Sequence, residues 1–432
     1  MVREVQRMNQ QKRLAPVAIT GIGMLTAQGL TRPETWAGIK AGREVLRPWD
    51  GALPPPLAAI KVAQCPPLPR PADLPARLWN SLARTQQLAC LCADEALQSA
   101  GLPRQRPADA APMGCFLATS IAGMTQIERY YEAYRRGGAG GSPDDLRRVQ
   151  PYETLALLAR RHRLTGPRYL NLTTCVGSAM ALGAACDAIN AGHSPLALAG
   201  GTEALCRLIL AGFHSLRLIA ADGCRPFDRT HPGITVGEGA ALLVLEEPSH
   251  ARQRGIEPLG FIRGYAATCD AYHITKPDPQ GAAASAAIEQ ALASAGVTPQ
   301  TIDYIHAHGT GTRDNDTMEA AVLQRVFGPA PAAPPVSSTK RLTGHTFAAA
   351  GAIEAALCVQ ALAEGVLIPN SGLREADSGC RLPLVRETVR RDIQMALSCN
   401  FAFGGNNTAL VLSKTADWGN QHSAGLPRVA AG

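Results

Sequence analysis

Residues 169–201 read YLNLTTCVGSAMALGAACDAINAGHSPLALAGG, and this stretch decides the fold. Residues 169–174 predict a strand, the Ala-rich run 176–191 predicts a helix, and 196–201 predict a second strand. A strand–helix–strand unit is the crossover that joins parallel strands. Short β-rich runs and Ala-rich helical runs alternate in the same way over most of the chain. We therefore expect an α/β protein whose mostly parallel sheets are covered by helices on both faces.

The predicted elements form two runs of similar order. The first run ends with a strand at 240–246, and the second begins with a strand at 259–265 and closes with strands near 394–399 and 407–413. This similarity indicates an internal duplication, with a boundary in the charged stretch 248–258. The predicted division is a leader (1–15), an N-terminal half that carries the candidate nucleophile (16–255), a C-terminal half that carries the candidate histidines (256–414) and a tail (415–432).

Composition excludes several classes of protein. Of the 432 residues, 46% are hydrophobic and 18% are charged, which is typical of a packed globular protein. Uninterrupted apolar runs stay below the length of about 18 residues that a membrane span needs, so we expect no membrane span. The polar, basic N-terminus lacks an apolar signal core, and we expect a cytoplasmic location. The net charge is +7, but Arg residues are scattered without a binding motif, so nucleic acid is not an expected partner.

The chain has twelve cysteines, and none of them forms a Cys-x-x-Cys pair. Metal sites need clustered ligands at short spacing, so we expect no metal site. We also expect no disulfide framework in a large chain without a secretion signal. Most of the cysteines are therefore interpreted as reduced, small core residues.

Cys175 differs from the other cysteines because it lies where strand 169–174 meets the Ala-rich helix. At a helix N-terminus the dipole and the free N–H groups favour a thiolate, so the sequence predicts a lowered pKa for this thiol. The same turn resembles a nucleophile elbow, in which backbone N–H groups hold an oxyanion. The alternative is a buried structural cysteine in a helix of small residues.

Two later segments place candidate catalytic side chains at strand ends. His308 precedes a Gly and Thr loop, and His306 is its rival because position alone does not separate the two histidines. Lys340 and His345 flank a Gly turn between a buried strand and a helix. Glu354 lies in that helix of small residues, where it is costly unless paired, so we expect it to meet Lys340. An ion pair without a catalytic role is the alternative.

The segment 398–407 reads SCNFAFGGNN and places two aromatic side chains before a Gly pair. The pattern predicts either a mobile gate loop or core phenylalanines beside a hairpin turn. Together, a cysteine at a helix start and two strand-end histidines are what thioester chemistry needs. A soft nucleophile takes the acyl group, and imidazole N–H groups stabilise an enolate.

The chain contains, in this order, the motifs TGIGM (20–24), TTC (173–175), AGGTEA (199–204), RPFDRT (225–230), VGEGAA (236–241), DAYH (270–273), HGTGT (308–312), SSTK…TGH (337–345) and FAFGG (401–405). They resemble the motifs of the β-ketoacyl-acyl carrier protein synthases of the elongating, type II subgroup, which have the thiolase-like fold. The resemblance extends over residues 16–414. It implies two similar halves that form a layered α-β-α-β-α architecture.

The resemblance implies a role for each candidate residue. Cys175 is implied to be the acyl-accepting nucleophile, and its backbone N–H is implied to form the oxyanion hole with that of the gating residue Phe403. The implied catalytic set is Cys175, His308, His345, Lys340 and Glu354. The implied gate includes Phe401, Phe403 and Gly404. The implied contacts of the pantetheine arm or acyl chain are Met124, Thr275, Thr310 and Thr312.

The implied reaction is a ping-pong decarboxylative Claisen condensation. An acyl group passes from a carrier protein to the cysteine, malonyl-acyl carrier protein then loses CO₂, and the β-ketoacyl product is two carbons longer. No metal or nucleotide cofactor is implied, because the phosphopantetheine arm belongs to the substrate. The implied partners are an acidic acyl carrier protein, which suits the positive net charge, and a second subunit that is identical or ketosynthase-like.

Departures from the family pattern bear on the pathway. They include Thr173 and Thr174 before the nucleophile, and Ala402 and Asn406 in the gate segment. Because these positions adjoin the acyl pocket and the gate, they favour a specialised fatty-acid-like, polyketide or aryl polyene pathway over housekeeping synthesis.

Three other functions compete with the condensing enzyme. A thiolase acting on acyl-CoA would need a second catalytic cysteine in a Cys-x-Gly setting, which Cys399 does not provide. A non-catalytic, chain-length-determining partner of a ketosynthase heterodimer would lack the nucleophile, so Cys175 argues against it. A Cys-His hydrolase would leave Lys340 and Glu354 without a role.

Overall fold

The computed structural model describes residues 14–51, 53, 57–136, 146 and 149–416. The predicted leader and tail therefore lie almost entirely outside the described residues. Within this part the helices are α1 (Arg32–Lys40), α2 (Ala76–Ser81), α3 (Arg84–Ser99), α4 (Met124–Arg135), α5 (Pro151–His162), α6 (Gly177–Asn190), α7 (Arg207–Ser215), α8 (Pro248–Gln253), α9 (Ala282–Ala295), α10 (Arg313–Phe327), α11 (Lys340–Thr343) and α12 (Ala350–Glu364).

The strands confirm most of the predicted positions. They are β1 (Val17–Thr26), β2 (Arg47–Pro48), β3 (Lys61–Val62), β4 (Met113–Ala118), β5 (Arg168–Asn171), β6 (Leu196–Glu203), β7 (Gly239–Glu246), β8 (Gly260–Cys269), β9 (Tyr304–His306), β10 (Val336–Ser337), β11 (Val366–Leu367), β12 (Val389–Arg390), β13 (Met395–Phe401) and β14 (Asn406–Ser413).

Ten of these strands pair in the order β10-β9-β13-β14-β8-β1-β7-β6-β4-β5. The prediction of mostly parallel sheets is wrong, because five neighbouring pairs are antiparallel and four are parallel. The reason is clearest at β13 and β14, which are joined by the four residues 402–405. A connection this short permits only antiparallel pairing.

The two halves have the same topology. The first half has the order β5-β4-β6-β7-β1, and the second has the order β10-β9-β13-β14-β8. When the five strands of each half are numbered along the chain, the spatial order in both halves is third, second, fourth, fifth, first. The parallel and antiparallel pairs also follow one another in the same sequence in both halves. The halves join through antiparallel pairing of β1 with β8. The prediction of two similar halves is confirmed, while the division at residues 255 and 256 stays a prediction.

Helices α6 and α12 form the layer between the two halves. Both are rich in Ala, and their small side chains let the helices approach closely: a Cβ added at Gly351 would lie 2.8 Å from that of Ala179. Helix α3 covers β1 and β7 on one outer face, and α9 covers β8 and β14 on the other. The result is the expected α-β-α-β-α arrangement.

One helix within the described residues, Phe347–Glu364, is long and apolar enough to cross a membrane by length and composition alone. Its 18 residues have a mean hydropathy of 1.4, but 83% of them are buried inside the protein. It includes α12, whose Glu354 forms an ion pair in the interior. These contacts identify the segment as the central core helix.

Gly23 on β1 offers a test of this close packing. A Cβ at this position would lie 1.9 Å from the carbonyl oxygen of Cys92 on α3. We predict that Gly23→Ala lowers the free energy of unfolding by at least roughly 1–3 kcal/mol, because the core cannot accept the added methyl group. Gly212→Ala on α7 is the control, because an added Cβ meets nothing within 4 Å there.

The control should raise the free energy of unfolding by about 0.5–1 kcal/mol, because Ala is the better helix former. Urea denaturation followed by circular dichroism measures both variants. Equal midpoints for Gly23→Ala and the unmodified chain would contradict the prediction.

Candidate active site

Cys175 lies in a 3₁₀ turn, Thr174–Val176, that leads directly into α6. Strand β5 ends at Asn171, whose side-chain oxygen accepts a hydrogen bond from the backbone N–H of Thr173 at 2.7 Å. Thr174 then adopts a left-handed conformation with φ of 42°. This sharp turn, sparsely populated for a β-branched residue, carries the thiol to the N-terminus of the helix, as the sequence predicts.

Two histidines meet the thiol in the interior. One ligand atom from each of Cys175, His308 and His345 lies within 4.8 Å of the other two. The imidazole rings are edge to face, with their centroids 5.3 Å apart. Each histidine adjoins a glycine with positive φ, Gly309 at 45° and Gly344 at 67°, so the chain turns tightly at both positions.

The hydrogen bonds to the two rings determine their tautomers. Nδ1 of His308 is 3.2 Å from Nζ of Lys340, and Nδ1 of His345 accepts the backbone N–H of Phe347 at 3.2 Å. Burial, followed by the charge of Lys340, holds the pKa of both histidines well below the usual range. Each ring is therefore neutral with its proton on Nε2, and both present an N–H donor.

Lys340 is held by two further contacts behind the histidines. Its Nζ donates to the carbonyl oxygen of His308 at 2.6 Å and to Oε1 of Glu354 at 2.5 Å. This confirms the predicted pairing of Lys340 with Glu354. Burial raises the pKa of Glu354, whereas the Lys340 charge and the Asn400 side chain lower it.

The thiol itself is neutral in the resting protein. Burial raises the pKa of Cys175 to about 12, against the opposing effects of Lys340 and of the backbone N–H groups of Cys175 and Phe403. The prediction of a lowered thiol pKa is therefore wrong, because loss of solvent outweighs the position at a helix N-terminus. The two N–H groups that act on the sulfur are the pair expected to form an oxyanion hole.

The thiol opens onto a cavity of about 280 Å³. Phe213, which no sequence pattern indicated, stacks on the predicted gate residue Phe403 with ring centroids 5.8 Å apart, and its ring centroid lies 5.2 Å from that of Phe347. Arg217 and Arg313 also line the cavity and were not predicted. The predicted residues that line it are Cys175, Thr275, His308, Thr310, Thr312, His345, Phe401 and Phe403.

Other candidates lie elsewhere. Met124 begins α4 and lines a separate surface groove with Tyr131 and Leu208, so its contact with substrate stays a prediction. The backbone N–H of Gly404 donates to the carbonyl oxygen of Ile274 at 2.7 Å and is not free for an oxyanion. His306 is fully buried, and its Nε2 is 3.2 Å from the Thr339 hydroxyl. The structure thus distinguishes it from its rival His308, which lines the cavity.

Two buried polar side chains support the site without having been predicted. Glu319 accepts the backbone N–H groups of His308 at 2.6 Å and Gly309 at 2.7 Å, and burial raises its pKa to about 8. Asn400 donates to Glu354 at 2.5 Å. A polar residue inside an apolar strand was the available signal for Asn400, whereas Glu319 lies on a helix whose orientation only the fold determines.

The cluster of Cys175, His308 and His345 has the spacing of a metal site. A histidine that binds a metal ion donates its other ring N–H to an acceptor. Here both Nδ1 atoms face donors, and one of these donors is the Lys340 ammonium group. The donor set therefore does not fit a metal ion.

Comparison with known proteins agrees with this geometry. Residues 14–251 match the family described as "Beta-ketoacyl synthase, N-terminal domain", and residues 259–374 match "Beta-ketoacyl synthase, C-terminal domain". The two matches together cover most of the chain.

Full-length relatives support the same assignment. The chain is 34% identical to "Nodulation protein E" of Rhizobium sp. (strain N33), over 91% of this chain and 98% of the relative. It is 31% identical to "3-oxoacyl-[acyl-carrier-protein] synthase 2" of Coxiella burnetii, over 93% and 99%. It is 33% identical to "Putative polyketide beta-ketoacyl synthase 1" of Streptomyces halstedii, over 92% and 97%.

Solved structures share the fold. "The ishigamide ketosynthase/chain length factor" superposes with a TM-score of 0.83 at 30% identity, covering 92% of this chain and 99% of that one. A type II polyketide ketosynthase complex with its acyl-carrier protein (AntDE:AntF) superposes at 0.84 with 26% identity, covering 93% and 100%. The chain belongs to the β-ketoacyl synthase family, the condensing enzymes with the thiolase-like fold.

Proposed function

We propose that the chain catalyses decarboxylative Claisen condensation of an acyl group held on Cys175 with malonyl-acyl carrier protein. The observation that carries this proposal is the meeting, in one cavity, of a nucleophilic thiol with two neutral imidazoles whose Nδ1 atoms are both occupied. Two N–H donors beside a thiol suit an enolate intermediate. A hydrolytic Cys-His pair would instead need an imidazole with a free ring nitrogen facing the thiol.

The first half-reaction is acyl transfer to the thiol. Sulfur of Cys175 attacks the thioester carbonyl of the acyl carrier, and the oxyanion lies between the backbone N–H groups of Cys175 and Phe403. The C–S bond to the carrier breaks, and the proton of the Cys175 thiol is transferred in net to the departing carrier sulfur. Because that thiol has a pKa of about 12, its proton leaves during attack rather than before it.

The second half-reaction forms the new carbon–carbon bond. The malonyl carboxylate leaves as CO₂, and its electron pair becomes an enolate whose oxygen accepts Nε2–H bonds from His308 and His345. The enolate carbon attacks the acyl carbonyl on Cys175, and the C–S bond breaks to release the β-ketoacyl carrier. The thiolate then takes a proton and restores the neutral thiol.

The cavity rim and the sheet edge suit the proposed partners. Arg217 and Arg313 line the cavity and complement the phosphate of a phosphopantetheine arm, which is part of the substrate, so no separate cofactor is required. Strand β5 ends the ten-stranded sheet, and Leu172 directly after it is 50% exposed. We place a second ketosynthase-like subunit, identical or related, at this edge.

The named relatives support a location and a pathway for the enzyme. We place the enzyme in the cytoplasm, because the relatives with matching length include synthases named for acyl carrier proteins. We place it in fatty-acid-like, polyketide or aryl polyene synthesis, because its relatives include both 3-oxoacyl-carrier and polyketide synthases.

Acylation of Cys175 tests the first half-reaction. Incubation with acyl-carrier thioesters of several chain lengths should add one acyl group to the protein, and Cys175→Ala should add none. Intact-mass spectrometry measures the adduct and shows which chains the cavity accepts. Cys269→Ala, which removes an exposed thiol outside the cavity, should acylate as the unmodified chain does. Absence of an adduct with every carrier would contradict the proposal.

Loss of either imidazole tests the second half-reaction. We predict that His308→Ala and His345→Ala each slow decarboxylation of malonyl carrier by about 10²–10³-fold, the typical effect of removing one oxyanion donor. Acylation of Cys175 should persist, because its oxyanion hole is made of backbone N–H groups. Release of CO₂ from radiolabelled malonyl carrier measures the rate. His193→Ala, an exposed histidine, is the control.

Because the Cys175 thiol is neutral, we expect its rate of alkylation to depend on pH over an unusually wide range. The rate of reaction of Cys175 with iodoacetamide should rise about tenfold per pH unit between about pH 7 and 10, because the thiolate is a minor species there. A raised pKa of about 12 places the plateau above this range. Peptide mass spectrometry resolves Cys175 from the exposed Cys269, which serves as the internal reference. A plateau near the ordinary thiol pKa would contradict this prediction.

A further inference from the structure

Asn400 is a fully buried polar residue on β13 of the ten-stranded sheet. Its neighbours on β13, Cys399 and Phe401, belong to the hydrophobic core of the second half. Its side-chain oxygen Oδ1 is buried and has no hydrogen-bond partner among the described residues. A buried carbonyl without a partner destabilises a fold, and an apolar side chain of similar size would avoid that cost. The polar side chain therefore calls for an explanation other than stability.

The amide nitrogen of Asn400 begins a chain of buried contacts that ends at the cavity. Nδ2 donates to Oε2 of Glu354 at 2.5 Å, and Oε1 of the same carboxylate accepts from Lys340 at 2.5 Å. Lys340 in turn is 3.2 Å from Nδ1 of His308. All four side chains are at most 3% exposed, so these contacts are shielded from bulk solvent.

The contacts of Glu354 determine whether its carboxylate stays ionised. Burial favours the protonated form, and the Lys340 ammonium and the Asn400 amide both favour the charged form. An amide suits this position because its NH₂ group can only donate to the carboxylate and adds no charge that would compete for Lys340. The absence of a side chain at Gly351 leaves room for the amide, since a Cβ there would lie 2.9 Å from Oδ1 of Asn400.

We propose that Asn400 is a positioning residue that keeps Glu354 ionised, so that Lys340 holds His308 in the tautomer with its proton on Nε2. Without the amide, Oε2 of Glu354 loses its donor and the carboxylate binds a proton more readily. Lys340 then loses its counter-ion and its hold on Nδ1 of His308. The proton of His308 is then no longer confined to Nε2, from which it is donated to the enolate. The catalytic consequence rests on the proposed function, whereas the tautomer of His308 does not.

The tautomer is measured directly in the resting protein. Nitrogen-15 labelling of histidine gives the chemical shifts of Nδ1 and Nε2, and loss of a signal pair in His308→Ala identifies those of His308. Asn400→Leu should change the His308 shifts toward a mixture of tautomers. Asn400→Ser, which keeps a short hydroxyl donor, should give a smaller change in the same direction and carries the test if the Leu variant does not fold.

Ser398→Ala is the matched control. Ser398 lies two residues earlier on the same face of β13, is fully buried, and has a hydroxyl group without a hydrogen-bond partner among the described residues. Its removal should leave the His308 shifts unchanged. Unchanged shifts in both Asn400 variants, or equal changes in Ser398→Ala, would overturn the proposal.

Kinetics of the half-reactions provide the second readout. In Asn400→Leu and Asn400→Ser, decarboxylation should fall roughly tenfold or more while acylation of Cys175 persists, and Ser398→Ala should resemble the unmodified chain. The acid limb of the decarboxylation profile should move to higher pH, because Glu354 then takes up its proton at higher pH. The other groups that interact electrostatically with Glu354 have raised pKa values and stay neutral at the acid limb; they are the side chains of Cys175, Tyr304, Cys358 and Cys399. If both Asn400 variants decarboxylate at the normal rate and their acid limb stays at the same pH, the proposal is overturned. If the unmodified chain has no decarboxylase activity, the result counts against the proposed function. The tautomer measurement would still test the proposed role of Asn400.

Discussion

A buried ammonium group, Nζ of Lys340, is the constraint on which the centre of this molecule depends. An isolated charge in a protein interior is strongly destabilised, so the fold must bring it partners. They come from separate parts of the chain: the carbonyl oxygen of His308 after β9, and the Glu354 carboxylate from α12. The same charge acts on all three side chains at the cavity. It adds to the effect of burial in lowering the pKa of both histidines, and it partly offsets the burial that raises the pKa of the Cys175 thiol.

The small side chains of the central layer place these groups together. Helices α6 and α12 approach closely because Ala and Gly line their contact, and a Cβ at Gly351 would meet Ala179. Helix α6 begins immediately after Cys175, and α12 carries Glu354. A larger residue at the contact would separate Cys175 of the first half from the ion pair of the second. The duplicated topology thus supplies the thiol from one half and both histidines from the other.

Much of the fold and of the site follows from local signals. The strand–turn–helix pattern around Cys175 predicted this residue as the nucleophile, and the order of the motifs pointed to the histidines, the ion pair and the gate. The elements depend on residue type and short-range periodicity, whereas the roles of these side chains are implied by the resemblance to the family. Two expectations failed, for different reasons. The prediction of mostly parallel sheets overlooked a local signal, the short connection that makes β13 and β14 antiparallel. The prediction of a lowered thiol pKa failed because Cys175 is buried by residues far away in the sequence.

The sequence by itself determined which elements form, that two halves repeat, and which side chains can carry thioester chemistry, because these depend on local pattern and chemical type. Only the tertiary structure decided which ring nitrogen of His308 and His345 carries the proton, and that His308 rather than His306 lines the cavity. It also decided that Met124 lies outside the cavity and that Asn400 completes the ion pair. These properties arise from contacts between residues distant in the chain, and from the exclusion of water that those contacts create.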